Sequence, residues 1–224
     1  MQRVDYSIIK KKYESIGKGK VRLTQSTLLL IKQISATTTT YNFDVLESQN
    51  QGVLPEEIRL NLNDEFIVTE IGYYLKGELN SERGRSNFKL FTTPPIELAT
   101  DFAALNDAYA GQLKILVNNI NFIDRWDLQK HQKVARQQYA NFATPNQASL
   151  AEFASERDGM YNCSPMITLS GAKKNDIQTV LPYAITAQSN QLVCDDGQKI
   201  DIKINALCVL FRGFLAQNGA AFQK

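Results

Sequence analysis

The 224-residue sequence contains a single histidine, His131, and this scarcity excludes several kinds of chemistry. The two-histidine zinc motif of metalloproteases cannot be formed, nor can any histidine-rich metal site. A histidine-dependent triad would have to use His131, which lies among Gln129, Lys130, Gln132 and Lys133. These polar neighbours predict that His131 is a surface residue. We therefore expect no enzymatic activity, no cofactor and no metal.

Cysteine is also rare, and its three positions follow no metal-binding or redox spacing. Cys163, Cys194 and Cys208 form no C-x-x-C pair, so neither a zinc ribbon nor a thioredoxin-type site is indicated. Cys208 lies in an apolar run, where a buried thiol is expected.

Long hydrophobic runs and the common catalytic motifs are missing as well. No stretch reaches the roughly 18 apolar residues of a membrane-spanning helix. The first 24 residues lack the apolar core of a signal peptide, so we expect synthesis in a cytoplasm. Gly17 and Gly19 precede Lys20 without the other positions of a phosphate-binding loop or a dinucleotide fingerprint. Ser170-Gly171 lacks the glycine that opens a nucleophile elbow.

Charge is small overall, at +2, but it is unevenly distributed. Residues 1–24 contain seven basic and two acidic side chains, a net of +5, which leaves −3 for the other 200 residues. A basic N-terminal arm therefore precedes a mildly acidic body. The candidate contact residues in this arm are Lys10, Lys11, Lys12, Lys18, Lys20 and Arg22.

Several partners suit such an arm, and the sequence leaves them open. The lysines could contact phosphates of a nucleic acid without sequence preference. They could also lie on an anionic membrane, with Ile8, Ile9, Tyr13 and Ile16 as a small apolar face. A third possibility is an arm that docks on a neighbouring subunit, and a fourth is a solvated, flexible N-terminus.

Helical periodicity is confined to short segments. Ile9, Tyr13 and Ile16 recur at helical spacing before Gly17, which predicts a helix within the arm. A second apolar stripe runs from Leu98 to Tyr109. Residues 127–139 and 146–153 are further candidates. We expect these segments to form a helical excursion around residues 96–160.

Strand signals dominate the rest of the chain, through alternation and β-branched or aromatic residues. In 37–46, Thr39, Tyr41, Phe43 and Val45 are expected on one face, and Thr38, Thr40, Asn42 and Asp44 on the other. The predicted strands cover residues 28–34, 37–46, 58–62, 66–75, 88–91, 113–117, 166–169, 177–185, 191–194 and 200–215.

Three strand regions carry more specific expectations. The spacing predicts that Ile58, Leu60 and Leu62 share a face, and likewise Ile67, Ile71, Tyr73 and Leu75. Residues 77–87 read as a charged loop. Between Ala206 and Leu215 both faces are apolar apart from Arg212, which predicts a strand buried on both sides.

Nine or ten strands without regular helix alternation favour a mainly β fold, an antiparallel β-sandwich with helical insertions. We divide the chain into a basic arm at 1–24, a sandwich domain at 25–219 and a short tail at 220–224.

The aromatic residues are the basis of an alternative hypothesis for the function. The only tryptophan, Trp126, lies between Arg125 and Asp127 in a segment rich in charge. Together with Tyr73 and Tyr74 it could form a stacking surface for a sugar. On this alternative the chain would be a receptor- or carbohydrate-binding β-sandwich of the fibre or spike type.

Several phrases of the sequence resemble the jelly-roll coat proteins of bacteriophage virions, including those of membrane-containing phages that infect Bacteroidota. The resemblance extends over about residues 25–219 and rests on TTTTYNFDVL (Thr37–Leu46), IRLNLNDEFIVTEIGYYL (Ile58–Leu75), LKILVNNINFIDRW (Leu113–Trp126), PMITLSGAKKNDIQTVLP (Pro165–Pro182) and LCVLFRGFLAQNG (Leu207–Gly219).

This resemblance implies a virion subunit that self-assembles into a symmetric shell as trimers or larger units, without an active site. It implies a single jelly roll, with a compact double jelly roll as the alternative. The expected partners are other copies of the chain and other virion proteins. The basic arm would face a genome or an internal membrane, and the protein would be located in the virion.

Overall fold

A computed structural model describes residues 6–17, 20–47, 56–80, 86–94, 102–133, 159–186, 190–193 and 199–222. The helices are α1 (Tyr6–Gly17) and α2 (Phe102–Asn106), with single 3-10 turns at Asp107–Tyr109, Leu128–His131 and Ala220–Phe222. The strands are β1 (Arg22–Gln33), β2 (Thr40–Phe43), β3 (Glu65–Asn80), β4 (Ser86–Phe91), β5 (Gln112–Val117), β6 (Ile120–Asp127), β7 (Met160–Ser170), β8 (Asn175–Val180), β9 (Asn190–Val193) and β10 (Lys199–Gln217).

The strands form two antiparallel sheets. Sheet A has the order β1-β10-β3-β4, with β7 also pairing with β3 and β9 with β10. Sheet B has the order β2-β8-β5-β6. Every strand pairing is antiparallel. The predicted class, mainly β and antiparallel, is confirmed.

The main core lies between the two sheets and follows from the alternation of their strands. Sheet A contributes side chains such as Leu30, Tyr73 and Val209, and sheet B contributes Phe43 and Ile115. Burying each such side chain is worth about 1.5–3 kcal/mol relative to leaving it exposed. Of the face expected for Thr39, Tyr41, Phe43 and Val45, the last three residues are buried, whereas Thr39 is exposed and β2 itself spans only four residues.

Strand β10 is buried on both faces, as its sequence predicts. It lies between β1 and β3, so neither of its long edges borders solvent over residues 206–216. Leu207, Val209 and Phe211 point into the main core, whereas Ala206 and Cys208 belong to a second cluster on the outer face of sheet A.

The predicted common face for Ile67, Ile71, Tyr73 and Leu75 is wrong at Ile67. Thr69 has no partner in the ladder with β10, because Val68 pairs with Gly213 and Glu70 with Arg212. Such a β-bulge reverses the alternation of side chains. Ile67 therefore packs on the outer face with α1, while the other three lie in the main core.

Two further strand predictions need correction. Leu60 is buried, but Ile58 and Leu62 are about half exposed, because this segment makes only isolated bridges at Ile58 and Leu60 instead of a regular ladder. The charged loop expected at 77–87 is largely strand, since β3 continues to Asn80 and β4 starts at Ser86. Residues 81–85 lie outside the described part.

Within the helical excursion expected around 96–160, the strand predicted at 113–117 is confirmed as part of β5, but residues 120–127, for which no strand is predicted, form β6, and the two strands make a hairpin. Asn118 and Asn119 both have positive φ, at 52° and 63°, and such a pair makes the tight turn that suits a hairpin. Residues 128–131 form one turn, in which the Asp127 carboxylate caps the Gln129 N–H. The helix expected at 146–153 lies outside the described residues, as does Leu98.

The expected segment boundaries also shift. Sheet A already includes Arg22 and Leu23, which pair with Gln217 and Ala216, so the sandwich begins within the predicted arm. Ala220 in the predicted tail is buried, and its N–H bonds to the carbonyl of Asn63.

Candidate functional site

The basic arm folds as helix α1, whose apolar stripe faces its own sheet. Ile9 and Tyr13 are buried and pack with Ile67 and Ala216 on the outer face of sheet A. The ring of Tyr6 lies 5.4 Å from that of Phe214. Of the apolar residues that would serve a membrane contact, Ile9 and Tyr13 are therefore occupied by the protein itself, whereas Ile8 remains exposed.

A buried polar contact fixes the helix in place. The hydroxyl of Tyr13 donates to Glu65 Oε2 at 2.7 Å, and both side chains are almost fully buried. Burial and the neighbouring Glu65 carboxylate raise the pKa of Tyr13 well above its ordinary value. The phenol therefore stays protonated and keeps donating over the whole physiological pH range.

The exposed surface of α1 carries three consecutive lysines, which spread around the helix. Lys10, Lys11 and Lys12 are all exposed, and Lys10 forms an i,i+4 ion pair with Glu14 at 3.5 Å. Ile8, 61% exposed, lies one turn from Lys11 and Lys12.

The other predicted basic residues extend this surface in part. Lys20 and Arg22 follow the helix and are exposed, whereas Lys18 lies outside the described residues. The structure thus presents five of the six predicted residues to solvent, with three of them on a rigid helix.

The expectation of a surface His131 is wrong, because the side chain is completely buried. The indole Nε1–H of Trp126 donates to His131 Nε2 at 2.7 Å. An indole nitrogen can only donate, so Nε2 must accept and Nδ1 carries the proton, which it shares with the carbonyl oxygen of Gly159. Burial lowers the pKa of His131. Both nitrogens of a neutral ring are thus occupied.

His131 lies in an aromatic cluster that joins the two sheets. Its ring centroid lies 5.3 Å from that of Tyr161 on β7, 6.1 Å from Trp126 on β6 and 6.4 Å from Tyr73 on β3. One feature of the sequence pointed to this cluster: its only tryptophan, Trp126, and its only histidine, His131, lie five residues apart.

The aromatic residues proposed as a stacking surface are not available for one. Tyr73 and Tyr74 are buried, Tyr73 in the main core and Tyr74 in the outer cluster of sheet A. Trp126 is half-buried, packs against the main core and carries Lys130 over its ring at 4.9 Å.

Two cysteines lie in the described residues, and both are buried free thiols. Burial raises the pKa of Cys163 to about 11 and that of Cys208 further still, so neither is a thiolate near neutral pH. The buried Cys208 agrees with its sequence prediction. Cys194 lies outside the described part, and within that part no three histidine, cysteine or acidic side chains cluster as metal ligands would.

Large apolar side chains are exposed at several places in the described residues: on α1, at Ile58 and Leu62, on β7 and around sheet B. Ile120 and Phe122 on β6 are 61% and 44% exposed, and Tyr183, shortly after β8, is 67% exposed. Strand β6 pairs irregularly with β5, with two register shifts. Bulged edge strands resist pairing with further strands, so this edge offers side chains for contact more readily than backbone.

Within the described residues, no helix combines the length and hydropathy needed to cross a bilayer. Comparison with known protein families, with curated proteins and with solved structures found no match to this chain.

Proposed function

We propose that this chain is a virion structural protein, a coat subunit that assembles into a symmetric shell and performs no catalysis. The observation that carries this proposal is the order in which its strands pair. The antiparallel pairs β1–β10, β2–β8, β3–β7 and β5–β6 are nested, so that the first strand pairs with the last and the innermost two form a hairpin.

Such nesting is what a long hairpin produces when it rolls up into two facing sheets, which is the jelly roll. Rolling brings β10 beside β3 and β8 beside β5, and these two pairings complete sheets of order β1-β10-β3-β7 and β2-β8-β5-β6. Strands β4 and β9 are additions at the margins of sheet A. Because the described residues account for two sheets and not four, we favour a single roll over a compact double one.

Jelly rolls occur in viral coat proteins, in lectins and in cupin enzymes, and the side chains favour the first of these. A cupin-type metal site requires several histidines, whereas the only histidine here is buried and bonded at both nitrogens. A lectin surface at Tyr73 and Tyr74 is disfavoured because both rings are buried.

Two surfaces fit a coat subunit. Ile120, Phe122 and Tyr183 provide apolar contacts for other copies of the chain or other virion proteins. On the outer face of sheet A, the lysines of α1 provide a rigid cationic surface. Because Ile9 and Tyr13 of α1 pack against sheet A, we favour nucleic-acid phosphates over a membrane as its partner.

The test is the assembly state of the full chain, measured by light scattering and negative-stain electron microscopy at increasing concentration, with and without nucleic acid. We expect trimers or larger symmetric particles. Phe122→Ser should shift them toward smaller species, while Ile58→Ser, at a similarly exposed residue beside sheet A, should not. Lys11→Gln should weaken the effect of nucleic acid more than Lys173→Gln.

A monomer at every concentration, with and without nucleic acid, would contradict the proposal. Assembly that requires anionic vesicles in place of nucleic acid would keep the coat function but overturn the assigned partner of α1.

A further inference from the structure

The outer face of sheet A contains a cavity of about 390 Å³ that the proposed assembly function does not use. It lies between the apolar cluster under α1 and the outer cluster around Cys208. On β10, Cys208 belongs to the outer cluster and Ala216 to the cluster under α1. Arg212 and Phe214, which lie between these two residues, line the cavity. A polar depression thus separates two buried apolar regions of one sheet face.

The cavity is formed where β3 and β10 are out of regular register. The bulge at Thr69 brings β3 so close to β10 that a Cβ on Gly213 would lie 1.8 Å from the carbonyl oxygen of Ile67. The hydroxyl of Thr69 donates to the carbonyl of Arg212 at 3.1 Å and secures this arrangement. Bulges and strand glycines are features that re-aim side chains and admit a close ligand.

Three neighbouring strands each contribute one residue with a planar polar side chain to the lining, and these three residues lie opposite one another in the sheet. Arg212 on β10 pairs with Glu70 on β3, and Glu70 pairs with Asn162 on β7. Gln25 on β1 adds a second amide, and Tyr161 and Phe214 are further lining residues. The lining offers hydrogen-bond donors and acceptors at spaced positions together with aromatic surface.

The charges of this lining select the kind of ligand. The lining includes one basic residue, Arg212, and one acidic residue, Glu70, so either an anion or a cation would meet one like charge. A neutral molecule with several hydroxyl groups can donate to Glu70 and accept from Arg212, and the amides can do both. We propose that this cavity is a saccharide-binding site, independent of the assembly function proposed above.

An extended peptide fits the cavity less well. Peptides that bind sheets add to a free strand edge and use its backbone groups. Here the floor consists of β3 and β10, whose backbones are paired with each other and with β7 and β1 on either side. Recognition must therefore come from side chains. The volume is also at the lower end of ligand pockets, which suits one or two sugar rings.

The test uses the full chain and saturation-transfer NMR with methyl glycosides of hexoses and N-acetylhexosamines and with glucose disaccharides at millimolar concentration. We expect at least one to receive magnetisation. Asn162→Ala and Glu70→Gln should each weaken its Kd by about three- to tenfold, since each removes one hydrogen-bonding group. Asn42→Ala, an exposed amide on the outer face of sheet B, should leave the Kd unchanged.

Circular dichroism of each variant controls for folding, and Gln25→Ala replaces Glu70→Gln if that variant fails to fold. Absence of transfer to every glycoside would overturn the proposal, as would binding that is unchanged by the cavity variants. Displacement of the sugar by inorganic phosphate, or tighter binding of an extended peptide, would overturn the assignment to a neutral saccharide.

Discussion

The outer faces of the two sheets differ, although both sheets contribute side chains to the same core. On sheet A, Ile31 and Cys208 are buried on the outer face as well as Leu30 and Val209 on the inner one. On the outer face of sheet B, Asn42 is exposed and shares a hydrogen bond with Gln178 at 2.9 Å.

This difference separates two tasks within one fold. Sheet A is a doubly buried layer that holds the helix α1 and a buried charge network, in which Arg59 and Glu57 form an ion pair at 2.8 Å. Sheet B is buried on one side and presents amides and apolar side chains on the other. We infer that sheet A determines the stability of the subunit, whereas sheet B and the surface of α1 determine its contacts in assembly.

The largest effect should come from truncating matched apolar residues on the two outer faces. Ile31→Ala should lower the free energy of unfolding by about 3 kcal/mol, because it leaves a cavity in a buried cluster. Leu116→Ala, at a half-exposed residue of sheet B, should cost about 1 kcal/mol. Urea unfolding monitored by circular dichroism measures both. Equal losses would remove the proposed difference between the two faces.

A smaller effect should follow from releasing α1 from sheet A. Tyr13→Phe removes the hydroxyl that donates to the buried Glu65 and should cost about 2 kcal/mol, since hydrogen bonds to charged groups are among the stronger ones. Cleavage of α1 by a protease should accelerate in parallel. Tyr183→Phe is the matched control at an exposed phenol, and it should change neither quantity. A stable, protease-resistant Tyr13→Phe variant would show that apolar packing alone holds the helix.

The smallest effect concerns the junction between the sheets at His131 and depends on pH. Burial lowers the pKa of folded His131, whereas in the unfolded chain it is about 6.5. Below that pH the unfolded state takes up a proton that the folded state does not. His131 therefore makes its full contribution to the free energy of unfolding above about pH 6.5. This contribution is lost as the pH falls toward the pKa that His131 has in the folded state.

Between pH 7.5 and pH 5.5 this loss should amount to about 1 kcal/mol in the unfolding free energy. His131→Gln keeps a donor and an acceptor without titrating in this range, so its stability should vary less over the same interval. Identical pH profiles for the two proteins would show that His131 is not held neutral.

Sequence patterns predicted the strands where alternation was clean and the buried strand β10, and they predicted the apolar face of α1. They failed at Ile67 and at residues 120–127, which form β6. A single extra residue, Thr69, reverses the faces of β3, and this bulge arises from the fit of β3 against β10. The turn of the β5–β6 hairpin consists of Asn118 and Asn119. It contains no glycine, so the sequence lacks the Asn-Gly or Asp-Gly pair that usually indicates a hairpin.

The candidate sites were less predictable than the fold. The basic residues of α1 were identified from charge alone, because lysines on a helix remain exposed wherever the helix packs. The burial of His131 could not be read from its polar neighbours, since its partners Trp126, Gly159 and Tyr161 come together only when β6 and β7 meet.

By itself, the sequence determined which residues form strands, which face of α1 is apolar and where positive charge accumulates, because these depend on local spacing and composition. The tertiary structure decided which strands become neighbours, which outer face is covered and which polar side chains are buried. Those outcomes depend on contacts between segments far apart in the chain, where one bulge or one buried hydrogen bond changes which face of a strand meets water.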